Sequence, residues 1–377
     1  MKLALAVLLC AGWSGIAFSE ERLDPALPYQ AERSHPVTYD VEFAFVVTAP
    51  YKTKQLRVWV PLPPSDVAQE VTGRELSAFP DDVRPEIATE TVYGNQFACF
   101  TFEKPQGAQI VRHRFQVTAW ELNWKIDPAK VETVRNWPAS FAPYRRSDGG
   151  AVVVDQRFEN LLAEIVPERA TAAGDFQRVL KWVDRNFEYD HVNASLQARS
   201  EHGLERRRGH CSDYHGFCAA MGRALGVPTR VTYGINPFPK ASPSHCKLEA
   251  YLAPYGWVSF DVSETQKLAE LIRKTPELTD EQRLGLIARA QGRLMSGFRD
   301  NTWFLQTRGS RYELAPRASS GPVNVVRTIY AEADGVPLVE PDPSNKDQTA
   351  FTWMTAHRYR ADRDVAYPFA DVRSLEE

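Results

Sequence analysis

A cysteine, a histidine and an aspartate stand in that order at Cys211, His245 and Asp261, separated by 34 and 16 residues. A thiol needs a base to become a nucleophile, and an imidazole needs a third group to fix its tautomer. The trio therefore holds the parts for covalent acyl transfer. Cys211 would attack, His245 would take the thiol proton and return it to the leaving amine, and Asp261 would hold the ring. Cys211 lies in Gly209-His210-Cys211-Ser212-Asp213-Tyr214, where a helix is expected to begin. Unpaired N–H groups and the positive dipole end at a helix start favour thiolate over thiol, and the Cys211 N–H is free to face an oxyanion. Its second donor has no sequence signal.

Blander readings compete. A lone cysteine on an apolar helix is usually core, which is how Cys218, further along the same helix stripe, is read. His210, Cys211, His215, Cys218, His245 and Cys246 are also metal-ligand types, yet no paired C-x-x-C or H-E-x-x-H spacing occurs, and Asp261 would have no role. No metal and no cofactor is expected. Trp257 and Tyr214 are candidate substrate contacts, with core packing the competing reading for Trp257. Cys246 should point away from the His245 face and read as core or bridge-forming.

The elements that must position these groups follow from periodicity. A helix is expected from Cys211 to Leu225, ended by Gly226 and Pro228, with Cys211, His215, Cys218, Gly222 and Leu225 on one stripe. Strands are expected at Arg230–Tyr233, His245–Leu252 and Trp257–Val262, the last two joined through Ala253-Pro254-Tyr255-Gly256. Parity adds a requirement: His245 and Asp261 share a face only if that hairpin loop is odd in length, so three or five residues, or an equivalent bulge, are predicted. Before them, Phe176, Val179, Leu180, Val183 and Phe187 trace one face of a helix with Asp175 as expected N-cap. After Asp261, helical segments are expected near 266–273 and 279–293, with Thr279 and Gln282 forming a capping box, then strand-like runs at 302–314 and 323–331.

Earlier in the chain, Val37, Tyr39, Val41, Phe43, Phe45 and Val47 alternate with Thr38, Asp40 and Glu42, the period of a half-buried strand. Similar runs occur at 56–60, 97–102 and 110–120. The 377 residues exceed what one core usually supports. The expected division is an export signal at 1–19, an N-terminal β-sandwich-like domain at 20–125, a connector at 126–154, a core at 155–330 and a C-terminal extension at 331–377. Lys2 before an apolar run, then Ala17-Phe18-Ser19, reads as export to the periplasm or outside, not as a stable membrane anchor. A formal charge of -3 leaves no nucleic-acid footprint. Cys99, Cys211, Cys218 and Cys246 allow at most one bridge if Cys211 stays reduced.

The sequence from Gly209 to Tyr214, Arg223-Ala224-Leu225-Gly226-Val227-Pro228-Thr229-Arg230, His245 followed by Glu249, and Gly256-Trp257-Val258-Ser259-Phe260-Asp261 resemble the core of bacterial transglutaminase-like proteins. Residues from about 155 to 265 carry the likeness most closely. Val58-Trp59-Val60-Pro61-Leu62-Pro63, Gly94-Asn95 and the stretch from Arg308 to Pro316 resemble longer members. The resemblance implies an α+β protein, with a papain-like transglutaminase core behind an N-terminal antiparallel β domain. It also implies a thioester formed on Cys211 from a peptide or glutamine-like amide and resolved by water or an amine acceptor. Cys246 and Lys247 depart from the small residue and aromatic that often follow the family's histidine. That departure bears on the substrate groove more than on the trio. The rival from another class is a binding or assembly protein that keeps the fold without turnover.

Overall fold

The computed structural model describes residues 23–238, 243–342, 348 and 352–375. The expected export signal at 1–19 lies outside the described residues. The first third is all strand: β1 (Glu32–Thr48), β2 (Gln55–Leu62), β3 (Gln69–Phe79), β4 (Glu86–Thr89), β5 (Gln96–Glu103) and β6 (Ala108–Asn123). The alternation in β1 places Val37, Tyr39, Val41, Phe43, Phe45 and Val47 in a core shared with Val58, Val60, Phe100, Phe102, Val111 and Phe115. β3 and β4 have no such alternation. β3 pairs only with β6 along an exposed face, so nothing in its side chains had to be apolar.

The remaining elements are α1 (Ala142–Arg145), α2 (Gln156–Ile165), α3 (Ala172–Asn186), β7 (Glu188–Tyr189), α4 (Ser200–Arg206), β8 (Arg208–Gly209), α5 (Cys211–Ala224), β9 (Thr229–Ile235), β10 (Ser244–Leu252), β11 (Gly256–Phe260), α6 (Val262–Lys274) and α7 (Asp280–Ser296). Then come β12 (Phe298–Arg299), β13 (Phe304–Arg308), β14 (Tyr330–Ala333), β15 (Val336–Pro337) and β16 (Trp353–Ala361). Two mixed-origin sheets face each other. One runs β12-β6-β1-β16 with β3 also on β6; the other runs β15-β14-β2-β5-β4. The stretch at 331–377, expected as an extension, therefore completes both sheets: β14 pairs with β2, and β16 runs antiparallel to β1 from Tyr39↔Ala361 to Val47↔Trp353. Strand pairing is non-local, so contiguous sequence did not predict it.

The core sheet, β11-β10-β9-β13, is antiparallel, and α5 packs on it through β9 and β10. Every residue of α5 from Cys211 to Arg223 is buried. The narrow stripe expected for this helix is thus corrected: α2, α3, α4 and α6 enclose its other sides, and a helix wrapped all round has no solvent face to keep polar. α3 starts earlier than expected. Thr171 is its N-cap, accepting from the Gly174 N–H at 3.1 Å, while Asp175 turns back to the Ala170 N–H. The α7 capping box at Thr279 and Gln282 forms as expected. The strand-like runs at 302–314 and 323–331 shorten to β13 and β14, joined by a winding segment with one bridge at Tyr312↔Val323.

The β10–β11 hairpin closes at Leu252↔Gly256 through a three-residue loop, the odd length parity required. Leu248↔Phe260 sets the register, so Lys247 falls opposite Asp261 and His245 one diagonal step beyond.

Candidate active site

Two local devices place Cys211. Gly209 has φ +149°, and a Cβ there would run into the Asp213 carboxylate, so only glycine enters the helix along this path. The Asp213 carboxylate accepts the His210 and Ser195 N–H groups, each at 3.1 Å, and the Ser195 hydroxyl. Asp213 thereby ties the chain before α5 to the loop after β7; burial pushes its carboxyl up against those bonds. Cys211 opens α5, and its Sγ lies 3.0 Å from His210 Nδ1 and accepts the Cys246 N–H at 3.4 Å. Burial holds the His210 imidazole well below its usual pKa, so that ring is neutral.

His245 and Asp261 meet as the hairpin register demands. His245 Nε2 donates to Asp261 Oδ2 at 2.7 Å, which leaves Nδ1 as the nitrogen for Cys211, with Glu264 Oε1 3.9 Å from it. Burial alone would lower the His245 pKa. The charges of Asp261 and Cys211 overcome it and raise the ring to about 9. Asp261 is also the N-cap of α6. Its Oδ1 accepts from the Glu264 N–H and the Ser263 hydroxyl, each at 3.2 Å, so one carboxylate both starts a helix and orients a ring.

Lys247 joins this group, a role the sequence reading did not give it. Its Nζ donates to Asp261 Oδ2 at 2.7 Å and to Asp300 Oδ2 at 2.8 Å, with all three side chains at most 1 % exposed. Asp300 also accepts from the Thr302 N–H and hydroxyl. Burial would push the Asp261 carboxyl up; the Lys247 ammonium and His245 instead hold it well below the carboxylate range. Asp300 is lowered against burial by Lys247 and Thr302, and the two carboxylates raise Lys247. The unusual residue two positions after His245 thus contacts Asp261 directly. Period two along β10 was the available signal, since it puts Lys247 on the His245 face.

His215 is fully buried below Asp261 and accepts the Val262 N–H at Nε2 (3.2 Å); burial lowers it to about 4. The Tyr189 hydroxyl lies against the Cys211 main chain, and burial followed by the nearby Cys211 keeps the phenol protonated well above its usual range. The His210 ring packs between Tyr189 and His191, with centroids at 5.9 and 4.8 Å. Cys211, His245 and Asp261 are 1, 2 and 2 % exposed, so reagents reach the sulfur only as covering side chains shift.

Trp257 and Tyr214, expected as substrate contacts, are both packed elsewhere. Trp257 donates to the Pro25 carbonyl at 2.9 Å and stacks under the Arg230 guanidinium, which binds Glu249. Tyr214 donates to Gln266 at 2.7 Å, with its ring against Phe187. Aromatic side chains on core-facing positions carry more apolar area than any alternative, which is why they are here. Cys218 and Cys246 are buried, and Cys99, Cys211, Cys218 and Cys246 are all free thiols. Among the described residues, no group of three His, Cys, Asp or Glu side chains is arranged to hold a metal ion.

Comparison with known proteins bears on this architecture. Residues 159–262 match the family model described as the transglutaminase-like superfamily, a span that contains Cys211, His245 and Asp261. An uncharacterized protein of Haemophilus influenzae is 27 % identical over 158 residues, which are 36 % of this chain and 41 % of that protein, so the likeness spans less than half of the relative. A presumed cysteine protease from Cytophaga hutchinsonii superposes with a TM-score of 0.57 at 13 % identity, over 89 % of this chain and 94 % of its own. That breadth shows a shared fold. The periplasmic domain of TgpA from Pseudomonas aeruginosa aligns with a TM-score of 0.32 at 16 % identity, over 64 % of this chain and 92 % of that domain. With α5 against the β9–β11 sheet, the matched span and the whole-chain likeness in fold, this chain is an α+β protein whose residues 159–262 are similar to the transglutaminase-like superfamily.

Proposed function

We propose that this protein is an exported cysteine-dependent enzyme that transfers an acyl group from a peptide or glutamine-like amide through a thioester on Cys211. The observation that carries the reading is the 2.7 Å bond from His245 Nε2 to Asp261, which leaves Nδ1 for a sulfur that the neighbouring Cys246 N–H already meets. The Cys211 proton passes to His245 Nδ1, and the sulfur attacks the amide carbon. The Cys211 N–H and the Tyr189 hydroxyl face the developing oxyanion. The proton on Nδ1 then goes to the leaving amine as the C–N bond breaks, and water or a second amine, deprotonated by His245, resolves the thioester. Water yields a peptidase or amidase; an amine yields a transglutaminase. Export rests on Lys2 and the apolar run after it. Among the described residues no helix is long and apolar enough to cross a membrane.

The second reading, a binding or assembly protein that keeps the fold without turnover, draws on the 1 % exposure of Cys211. Replacing Cys211 with alanine separates the two. Assayed against a peptide-amide library with and without a primary amine, the wild type is expected to turn over at least one member, and Cys211→Ala to lose about 10⁴-fold or more. A wild type that turns over no member of the library would move the assignment to the binding reading, and an active Cys211→Ala protein would remove Cys211 as the nucleophile.

A further inference from the structure

Arg327 is the cation that the trio and its brace do not use. It lies in the winding segment between β13 and β14 and is 6 % exposed. The backbone links its segment to the strands that flank the nucleophile. The Val326 carbonyl accepts from the Thr307 hydroxyl at 3.4 Å, Thr307 pairs with Tyr233, Tyr233 pairs with Cys246, and the Cys246 N–H meets Cys211 Sγ. A few residues earlier, the Asn324 amide donates to Gln197 at 3.1 Å, tying the same segment to the loop between β7 and α4. The guanidinium is close enough to Cys211, Tyr233 and His210 to interact with their charges.

Its hydrogen bonding is incomplete. Nε and Nη1 are buried with no hydrogen-bond partner among the described residues. Two carboxylates of the same chain act on it, Glu340 and Asp342; Glu340 Oε1 is 3.7 Å from Nε, outside hydrogen-bond reach, on a side chain 31 % exposed. A guanidinium stays charged at any working pH and presents a planar fork that fits a carboxylate with two parallel bonds. A buried cation with two empty donors is costly to keep unless something fills them.

We infer that Arg327 is a specificity residue that binds the carboxylate of an acidic substrate side chain within a residue or two of the amide that Cys211 attacks. Glu340 then stands where the substrate's own carboxylate goes, and its half-buried side chain, at 3.7 Å and not hydrogen-bonded to the guanidinium, lets it be displaced. The inference rests on the reading of Cys211 as a nucleophile toward amides.

Two measurements test it. The first compares kcat/KM for peptide pairs that differ only by Glu against Gln beside the cleaved amide. The wild type is expected to favour Glu by about tenfold or more, and Arg327→Met to bring the ratio near one whatever its absolute rates; Arg327→Lys should keep part of the preference, because it keeps the charge and loses the fork. The second needs no turnover: the ratio of Cys211 alkylation rates by iodoacetate and by iodoacetamide reads the cation at the sulfur directly. Arg327→Met should lower that ratio by roughly five- to tenfold at low salt, and 1 M salt should shrink the difference. A Glu preference absent from the wild type, or retained in Arg327→Met, overturns the substrate assignment. An unchanged alkylation ratio removes Arg327 from the site altogether. Failure of every amide in the wild type, with the alkylation ratio still dependent on Arg327, would strike the acyl-transfer reading and leave the anion site standing.

Discussion

Replacing Lys247 with methionine should separate the trio's electrostatics from its geometry. The ammonium lies 2.7 Å from Asp261 and 2.8 Å from Asp300, and none of the three groups meets solvent. A pair of unit charges at ~4 Å attracts by about 4 kcal/mol at an effective dielectric near 20, against desolvation costs of several kcal/mol per ion. Removing one partner leaves the others buried and unpaired, so the loss is expected at about 3–5 kcal/mol. For a chain of 377 residues, the usual unfolding entropy per residue converts this to a Tm drop of roughly 4–6 °C.

The sign of its pH dependence is the sharper test. In the wild type, Asp261 and Asp300 titrate below their unfolded values, so they stabilise the fold above about pH 4, and that contribution is lost as pH falls through the lowered pKa. Without Lys247, Asp300 keeps Thr302 and the attraction of Arg293 but loses its directly bonded cation, and its carboxyl should take up a proton at higher pH. The gap between wild type and Lys247→Met in thermal denaturation should therefore be larger at pH 8 than at pH 5. Adding Asp300→Asn to Lys247→Met should recover about 1–2 kcal/mol, because it removes the stranded carboxylate. Equal gaps at the two pH values, or a loss under ~1 kcal/mol, would refute the account of Lys247 as a charge brace.

Two further outcomes follow from the same geometry. His245 is raised from an ordinary value near 6.5 to about 9, so its contribution to stability is fully present below about pH 6.5 and is lost as pH rises through about 9, some ~3 kcal/mol in all. If its proton serves the leaving amine, kcat/KM should show an alkaline limb near pH 9, and a limb near 6.5 would contradict the pairing with Asp261. Tyr189→Phe should lower kcat by about 10- to 100-fold with little change in KM, since it removes a donor that matters when the oxyanion forms. Loss confined to KM would instead make the phenol a substrate contact.

Much of the positioning scaffold was legible in local pattern. The β1 alternation, the α5 stop at Gly226, the α7 capping box and the odd hairpin loop are short-range properties, set by side-chain period and turn chemistry. The proximity of His245 and Asp261 follows from the same hairpin parity, because strand register carries a face assignment across the turn. Lys247 could have been placed beside them by that argument, had period two been carried one step further along β10. Polar edge strands such as β3 left no trace, since an exposed strand needs no apolar face.

Sequence alone determined which residue types stand in an order that suits covalent chemistry, and that an odd hairpin loop would bring His245 and Asp261 to one face. It named Cys211, His245 and Asp261, and it placed the cysteine at a helix start. Only the tertiary structure decided what surrounds them: that Asp300 shares Lys247 with Asp261, that Arg327 comes within electrostatic reach of Cys211, that Trp257 and Tyr214 turn into the core, and that the C-terminal strand β16 closes onto β1. Those contacts join positions tens to hundreds of residues apart, and no local period encodes them. They follow from how sheets pair and cores fill once the chain has folded.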